Sequence, residues 1–136
     1  MQIQFLSAAP VSAPRCIVRV ANQDALPADL DPVIAEGARS MRFSGKPAQS
    51  FEGFVAQGGA VVRVLLVGLG ETGAAGRIGS VERAGALVPI KLLTSGVEEA
   101  VLDLTGAGLS ADETAAFLLG ARLRGWRHDA YRTARP

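Results

Sequence analysis

Apolar positions are densest between Ala60 and Gly73, AVVRVLLVGLGETG, where Arg63 is the one charged residue from Val61 to Gly68 and glycines follow at 68, 70 and 73. A short valine-rich run closed by glycine predicts a strand buried on both faces. Such a strand needs helices on each side of its sheet, so the pattern predicts a three-layer α/β/α domain. The glycines then mark the carboxyl end of the strand, where open α/β sheets usually place their ligands.

The remaining elements follow from period and punctuation. Gln2 to Leu6 alternates polar and apolar and predicts a half-exposed strand; Ser7 to Pro14 is a loop; Cys16 to Val20 is a β-branched strand closed by Asn22 and Asp24. Asp31 is placed to cap a helix with Pro32 in its first turn, and Leu30, Val33, Ile34, Ala38 and Met41 form its apolar stripe, with Gly45 and Pro47 ending it. Phe51 to Gln57 predicts a strand joined to the Ala60 strand by Gly58-Gly59. A hairpin so short makes the sheet mixed, although mostly parallel. Ile78 to Leu93 has helical spacing in Val81, Ala84, Leu87, Val88 and Leu92, but Pro89 should kink or split it. Ala100 to Leu104 is a further strand. Ser110 and Glu113 form a capping box, opening a helix whose apolar face is Ala115, Ala116, Leu119 and Leu123 and which stops at Gly125.

Composition narrows the class. The chain has 136 residues, 49% apolar and 20% charged, the profile of one ordinary globular domain. Lys plus Arg number 14 against 13 Asp plus Glu, so no global field draws it to nucleic acid or membrane. No stretch approaches the roughly 20 apolar residues that span a bilayer, and the first ten residues lack the basic segment of a secretory signal. The single cysteine, Cys16, makes an internal disulfide impossible and is expected to be a buried, reduced strand residue of a cytoplasmic protein.

Candidate chemistry is sparse. Gly68, Gly70 and Gly73 complete a G-x-G-x-x-G between a strand and a helix, the pattern that lets a backbone approach a pyrophosphate. Against a dinucleotide site, several elements precede the motif, Glu71 lies among the amides meant for phosphate, and the next strand acid, Asp103, comes thirty positions after Gly73. A plain strand-to-helix connection is the simpler reading; a nucleotide or ADP-ribose site on this loop is the alternative. The acids Asp24, Asp29, Asp31, Glu36, Glu98, Glu99, Asp112 and Glu113 fall mostly at caps and turns, and His128 is the only histidine, so no metal site assembles. Glu98 and Glu99 point to opposite faces if they share a strand. There is no G-x-S-x-G elbow, so no catalytic residue is assigned. From Arg122 to Arg135 the tail holds five arginines with Trp126 and Tyr131 among them. It reads as a connector, with contact to a nucleic-acid backbone as the alternative.

VLLVGLGE (64–71), the helix with Arg83-Ala84-Gly85, AFLLGARLRGW (116–126) and HDAYRT (128–133) resemble the amino-terminal domain of leucyl aminopeptidases, the cytosol aminopeptidase family. Glu71 stands where a lysine is common, and Trp126, His128 and Ala130 replace the usual choices. The resemblance implies a macro-domain-like fold over residues 1–125, with 126–136 leading to a carboxyl-terminal catalytic domain. It also implies a cytoplasmic homo-hexamer that removes amino-terminal residues, leucine favoured, from peptides with two divalent metals, zinc or manganese. The family signature N-T-D-A-E-G-R-L is nowhere in these residues. The resemblance therefore places metals and substrate outside them, leaving this domain to contact its own catalytic domain and sibling subunits.

Overall fold

The computed structural model describes residues 2–6, 15–94 and 99–122. Five strands, β1 (Gln2–Leu6), β2 (Cys16–Asn22), β3 (Ser50–Gln57), β4 (Ala60–Gly70) and β5 (Glu99–Asp103), form one sheet in the order β1-β5-β2-β4-β3. The first four in that order are parallel, and β3 runs antiparallel to β4. Three helices, α1 (Pro32–Ser40), α2 (Arg77–Thr94) and α3 (Ala111–Arg122), cover it. The sandwiched, mixed, mostly parallel sheet is the three-layer arrangement the apolar run predicts.

Alternation along the strands divides the core in two. Cys16, Val18 and Val20 of β2 and Leu65, Val67 and Leu69 of β4 meet Val81, Ala84, Val88 and Leu92 of α2 and Phe117 of α3. Ala21, Val62, Val64 and Leu66 point the other way, to Ile34 and Ala38 of α1. β4 is buried on both faces as expected, but β2 is the middle strand of the five; β4 lies between it and the β3 edge. Gly58 and Gly59 join β3 to β4 with φ of 55° and 80°, the paired left-handed conformation that matches hairpin twist.

Two helix expectations, for α1 and α3, need correction, and the one for α2 is narrowed. Helix α1 stops at Ser40 rather than near Gly45. Phe43 N–H donates to the Ala38 carbonyl at 2.8 Å and Arg42 N–H to Arg39 at 3.0 Å, a Schellman end with Arg42 at φ 62° in the place glycine usually takes. Phe43 is the buried residue that completes it, while Val33 and Met41, expected in the stripe, are exposed.

Helix α2 is not split by Pro89. The carbonyl that a proline ring crowds is that of the residue four earlier. Here that residue is Gly85, whose backbone has the most freedom to adjust.

Helix α3 buries Ala116, Phe117, Leu118, Gly120 and Ala121, leaving Ala115 exposed and Leu119 48% exposed. Of the expected face Ala116 is buried as read, but Ala115 and Leu119 are not, because α3 packs chiefly on α2 rather than on the sheet. Contact between two helices at close range selects small residues. Leu123 and Gly125 lie outside the described residues.

Candidate functional site at the carboxyl edge of the sheet

The carboxyl ends of β2, β4 and β5 converge where a doubly wound sheet would hold a ligand. Adjacent strands β2 and β4 there send their connections to opposite faces, to α1 and α2. Each glycine of the 68–73 motif has a different local cause. Gly68 is still in β4; a Cβ on it would collide with the Lys46 carbonyl oxygen and lie 2.6 Å from the Gly45 carbonyl carbon. Gly70 and Gly73 have φ of 84° and 79°, and Gly73 is exposed beside the equally exposed Glu71.

The loop between α1 and β3 folds over this strand end. Gly68 N–H donates to Gln49 O at 2.9 Å and Gly70 N–H to Gly45 O at 2.9 Å, while Gln23 N–H donates to Gly70 O at 2.9 Å. Gln49 holds the loop from inside: its Oε1 accepts from the amides of Ser44 and Lys46, each at 3.0 Å. Two of the three motif amides are therefore engaged by the chain itself.

Arg77, in the first turn of α2, fills the space beyond. Its Nη1 donates to Leu69 O at 3.2 Å and Gly70 O at 3.0 Å, Nη2 to Asn22 Oδ1 at 2.6 Å, and Nε to Glu113 Oε2 at 3.1 Å. The residue is 7% exposed. A cation at a helix amino terminus opposes the macrodipole, so its burial there needs dedicated acceptors, and it has four. Asn22 in turn donates from Nδ2 to Ala107 O at 2.8 Å. Glu113 closes the circuit: its Oε1 accepts from Ser110 N–H at 3.0 Å while Ser110 Oγ accepts from Glu113 N–H at 3.1 Å, the predicted capping box. The Ser110 amide first, and Arg77 after it, hold the Glu113 carboxyl below its ordinary value of 4.5. One guanidinium thus joins the ends of β2 and β4 to the starts of α2 and α3.

A second arginine sits on the opposite face of the same edge. Arg19 of β2, also 7% exposed, bonds Asp29 Oδ1 at 2.7 Å and approaches Asp103 Oδ2 at 3.8 Å. Its hydrogen bond, ahead of its charge, lowers the Asp29 pKa. Asp103 also accepts from Thr105 N at 3.1 Å and Oγ1 at 2.6 Å. Its carboxylate orders a turn and faces Arg19.

Neither arginine was singled out by sequence reasoning. The usable signal was Arg77 directly after Gly76, a position the helix dipole disfavours unless acceptors wait for it. Of the weighed acids, Asp31 caps α1 by accepting from Val33 N–H at 2.8 Å. Cys16 is buried, and burial pushes its thiol up to about 11, against a smaller lowering by Arg63. Among the described residues no three His, Cys, Asp or Glu side chains gather as metal ligands, and no helix is long and apolar enough to cross a membrane. Glu98, His128, Trp126, Tyr131 and the arginines beyond Arg122 lie outside the described residues.

Residues 17–135 match the sequence profile of the cytosol aminopeptidase family, N-terminal domain. Among curated proteins, the chain is similar to a probable cytosol aminopeptidase of Caulobacter vibrioides, 38% identical over 100 residues that cover 74% of this chain and 20% of that one. One from Rhizobium etli is 32% identical over 108 residues, 78% of this chain and 21% of the relative. Another, from Afipia carboxidovorans, is 27% identical over 101 residues, 74% and 20%. The chain spans about a fifth of the length of these relatives.

Proposed function

The chain belongs to the cytosol aminopeptidase family as an N-terminal domain, and on that premise we propose that it serves a peptidase as a non-catalytic scaffold. The observation that carries this reading is the closed carboxyl edge. Arg77 and the 42–49 loop occupy the place where a ligand would bind, and each guanidinium nitrogen of Arg77 donates to an acceptor within the chain.

In this proposal the parent hydrolyses amino-terminal residues, leucine favoured, from peptides in the cytoplasm. Its chemistry, with two divalent ions such as zinc or manganese, lies in a carboxyl-terminal domain reached through residues 126–136. Such ions activate water and polarise the scissile carbonyl. The residues described here do not fit that task. Asp29 and Asp103 face Arg19, and Glu113 is shared between Arg77 and the Ser110 amide. A carboxylate already paired with a guanidinium is a poor cation ligand. The domain's own partners are the catalytic domain and sibling subunits of a homo-hexamer.

The 136 residues alone, supplied with zinc or manganese, are expected to release no amine from a leucyl anilide. A polypeptide carrying this domain followed by the family's catalytic domain is expected to do so. Metal-dependent turnover by the isolated chain overturns the proposal.

A further inference from the structure

Strand β3 is an outer strand of the sheet and pairs with β4 alone among the described residues. Its ladder is continuous from Ser50 opposite Val67 to Gln57 opposite Ala60, with no bulge. The bond from Gly68 N–H to Gln49 O fixes which residues face β4. In an antiparallel ladder hydrogen-bonded pairs alternate, so Phe51, Gly53, Val55 and Gln57 bond to β4. Ser50, Glu52, Phe54 and Ala56 aim their N–H and C=O groups outward. The bond from Arg63 N–H to Arg15 O agrees, because it turns the odd residues of β4 toward β2.

Natural edges are protected by lysine, proline, bulges or shortness. This edge is eight residues long, SFEGFVAQ, with none of those devices. Its one charge, Glu52, is drawn to Arg63 at 3.5 Å. Phe54 is 56% exposed beneath the Arg63 guanidinium, 5.2 Å from ring centroid to carbon, and Val61 on the facing strand is 63% exposed.

We propose that the β3 edge pairs with the β3 edge of a second copy of this chain, antiparallel about a two-fold axis through Phe54. The two five-stranded sheets then become one. Charge selects the register. An axis through Glu52 sets like carboxylates face to face, which is destabilising. An axis through Gly53 sets Glu52 against the partner's Phe54. The Phe54 axis pairs Phe54 with the partner's Phe54 and Glu52 with the partner's Ala56, which joins the aromatic rings and opposes no like charges. A shift by one residue turns each outward group against an inward one and leaves the edge unbonded. The inference rests on the reading that the domain makes subunit contacts, and its test does not involve peptidase activity.

Sedimentation velocity from about 10 μM to about 1 mM should show a reversible monomer–dimer equilibrium, weak because the interface is narrow. Amide exchange at Glu52, Phe54 and Ala56 should slow as concentration rises. Ala56→Pro removes an outward N–H and leaves the β4 ladder intact. Two symmetry-related bonds are lost, so self-association should weaken about tenfold or more. Phe54→Lys should do the same by bringing two cations together at the axis, with the far-ultraviolet spectrum of both variants retained. A chain that is monomeric at about 1 mM, a dimer indifferent to both substitutions, or edge protection independent of concentration overturns the proposal. Failure of the peptidase experiment would remove the scaffold reading and leave these measurements as they stand.

Discussion

Replacing Gly85 or Gly120 with alanine should destabilise the domain by about 1–2 kcal/mol in urea denaturation, although each lies inside a helix. At such positions alanine ordinarily gains about 1 kcal/mol over glycine. Here helix propensity is outweighed. A Cβ on Gly85 would run into the Phe117 carbonyl oxygen and sit 2.8 Å from that carbonyl carbon and 3.2 Å from Ala121 N. On Gly120 it would meet the Glu82 carbonyl oxygen, 2.9 Å from its carbon and 3.0 Å from Ala86 N. The two glycines let α2 and α3 touch backbone to backbone, and main-chain atoms cannot swing aside as a side-chain tip can. Overpacking of this kind costs about 1–3 kcal/mol, occasionally more, and the helices must separate to relieve it. Gly79 provides the control. It lies in α2 with nothing within 4 Å of its Cβ position, so Gly79→Ala should stabilise by about 0.5–1 kcal/mol. If all three substitutions shift the midpoint alike, the close crossing is not what holds α3 in place.

Arg77→Met should be worse, costing about 3–5 kcal/mol. Methionine fills part of the volume but leaves Glu113 without its cation and strips the donors from the Leu69 and Gly70 carbonyls and from Asn22 Oδ1. Removing one partner of a buried charged network costs about that much. Domains of this kind are stable by only about 5–15 kcal/mol. Arg77→Lys should rescue little, because an ammonium cannot reproduce a fork that reaches three directions at once. The variant also changes the acid limb of stability. The folded Glu113 carboxyl is held below 4.5, so its contribution is present above that value and is lost as pH falls through the lowered folded one. With Arg77 gone, the Ser110 amide still depresses it, so the loss of stability on acidification should become shallower without vanishing. An Arg77→Met protein as stable as the parent contradicts the keystone role given to this side chain.

The layers of the fold were legible because they rest on period and punctuation. Valine-rich β4, the Gly58-Gly59 turn and the Ser110–Glu113 box each carry their structural cause within a few residues. Where the cause is distant, the reading failed. The end of α1 was misplaced because Arg42 adopts the left-handed conformation normally marked by glycine. The buried face of α3 was misjudged because α2, with Gly85 opposite, decides which residues are inside. Periodicity alone favours the large Leu119 over the small Gly120. The glycine motif was visible, but its meaning was not. Gly68 exists for the crossing loop at Lys46, some twenty residues away in sequence, and the filled crevice depends on Arg77 meeting Glu113, 36 residues apart. No local pattern encodes such a meeting.

The central claim is that the carboxyl edge of this sheet is closed by its own chain and holds no nucleotide. Titration calorimetry of the 136-residue chain with ADP-ribose and adenine nucleotides tests it directly. The account predicts no saturable heat at millimolar ligand. Saturable binding that is lost on substitution of Gly70 or Gly73 would show that the edge opens to a ligand, and would contradict it.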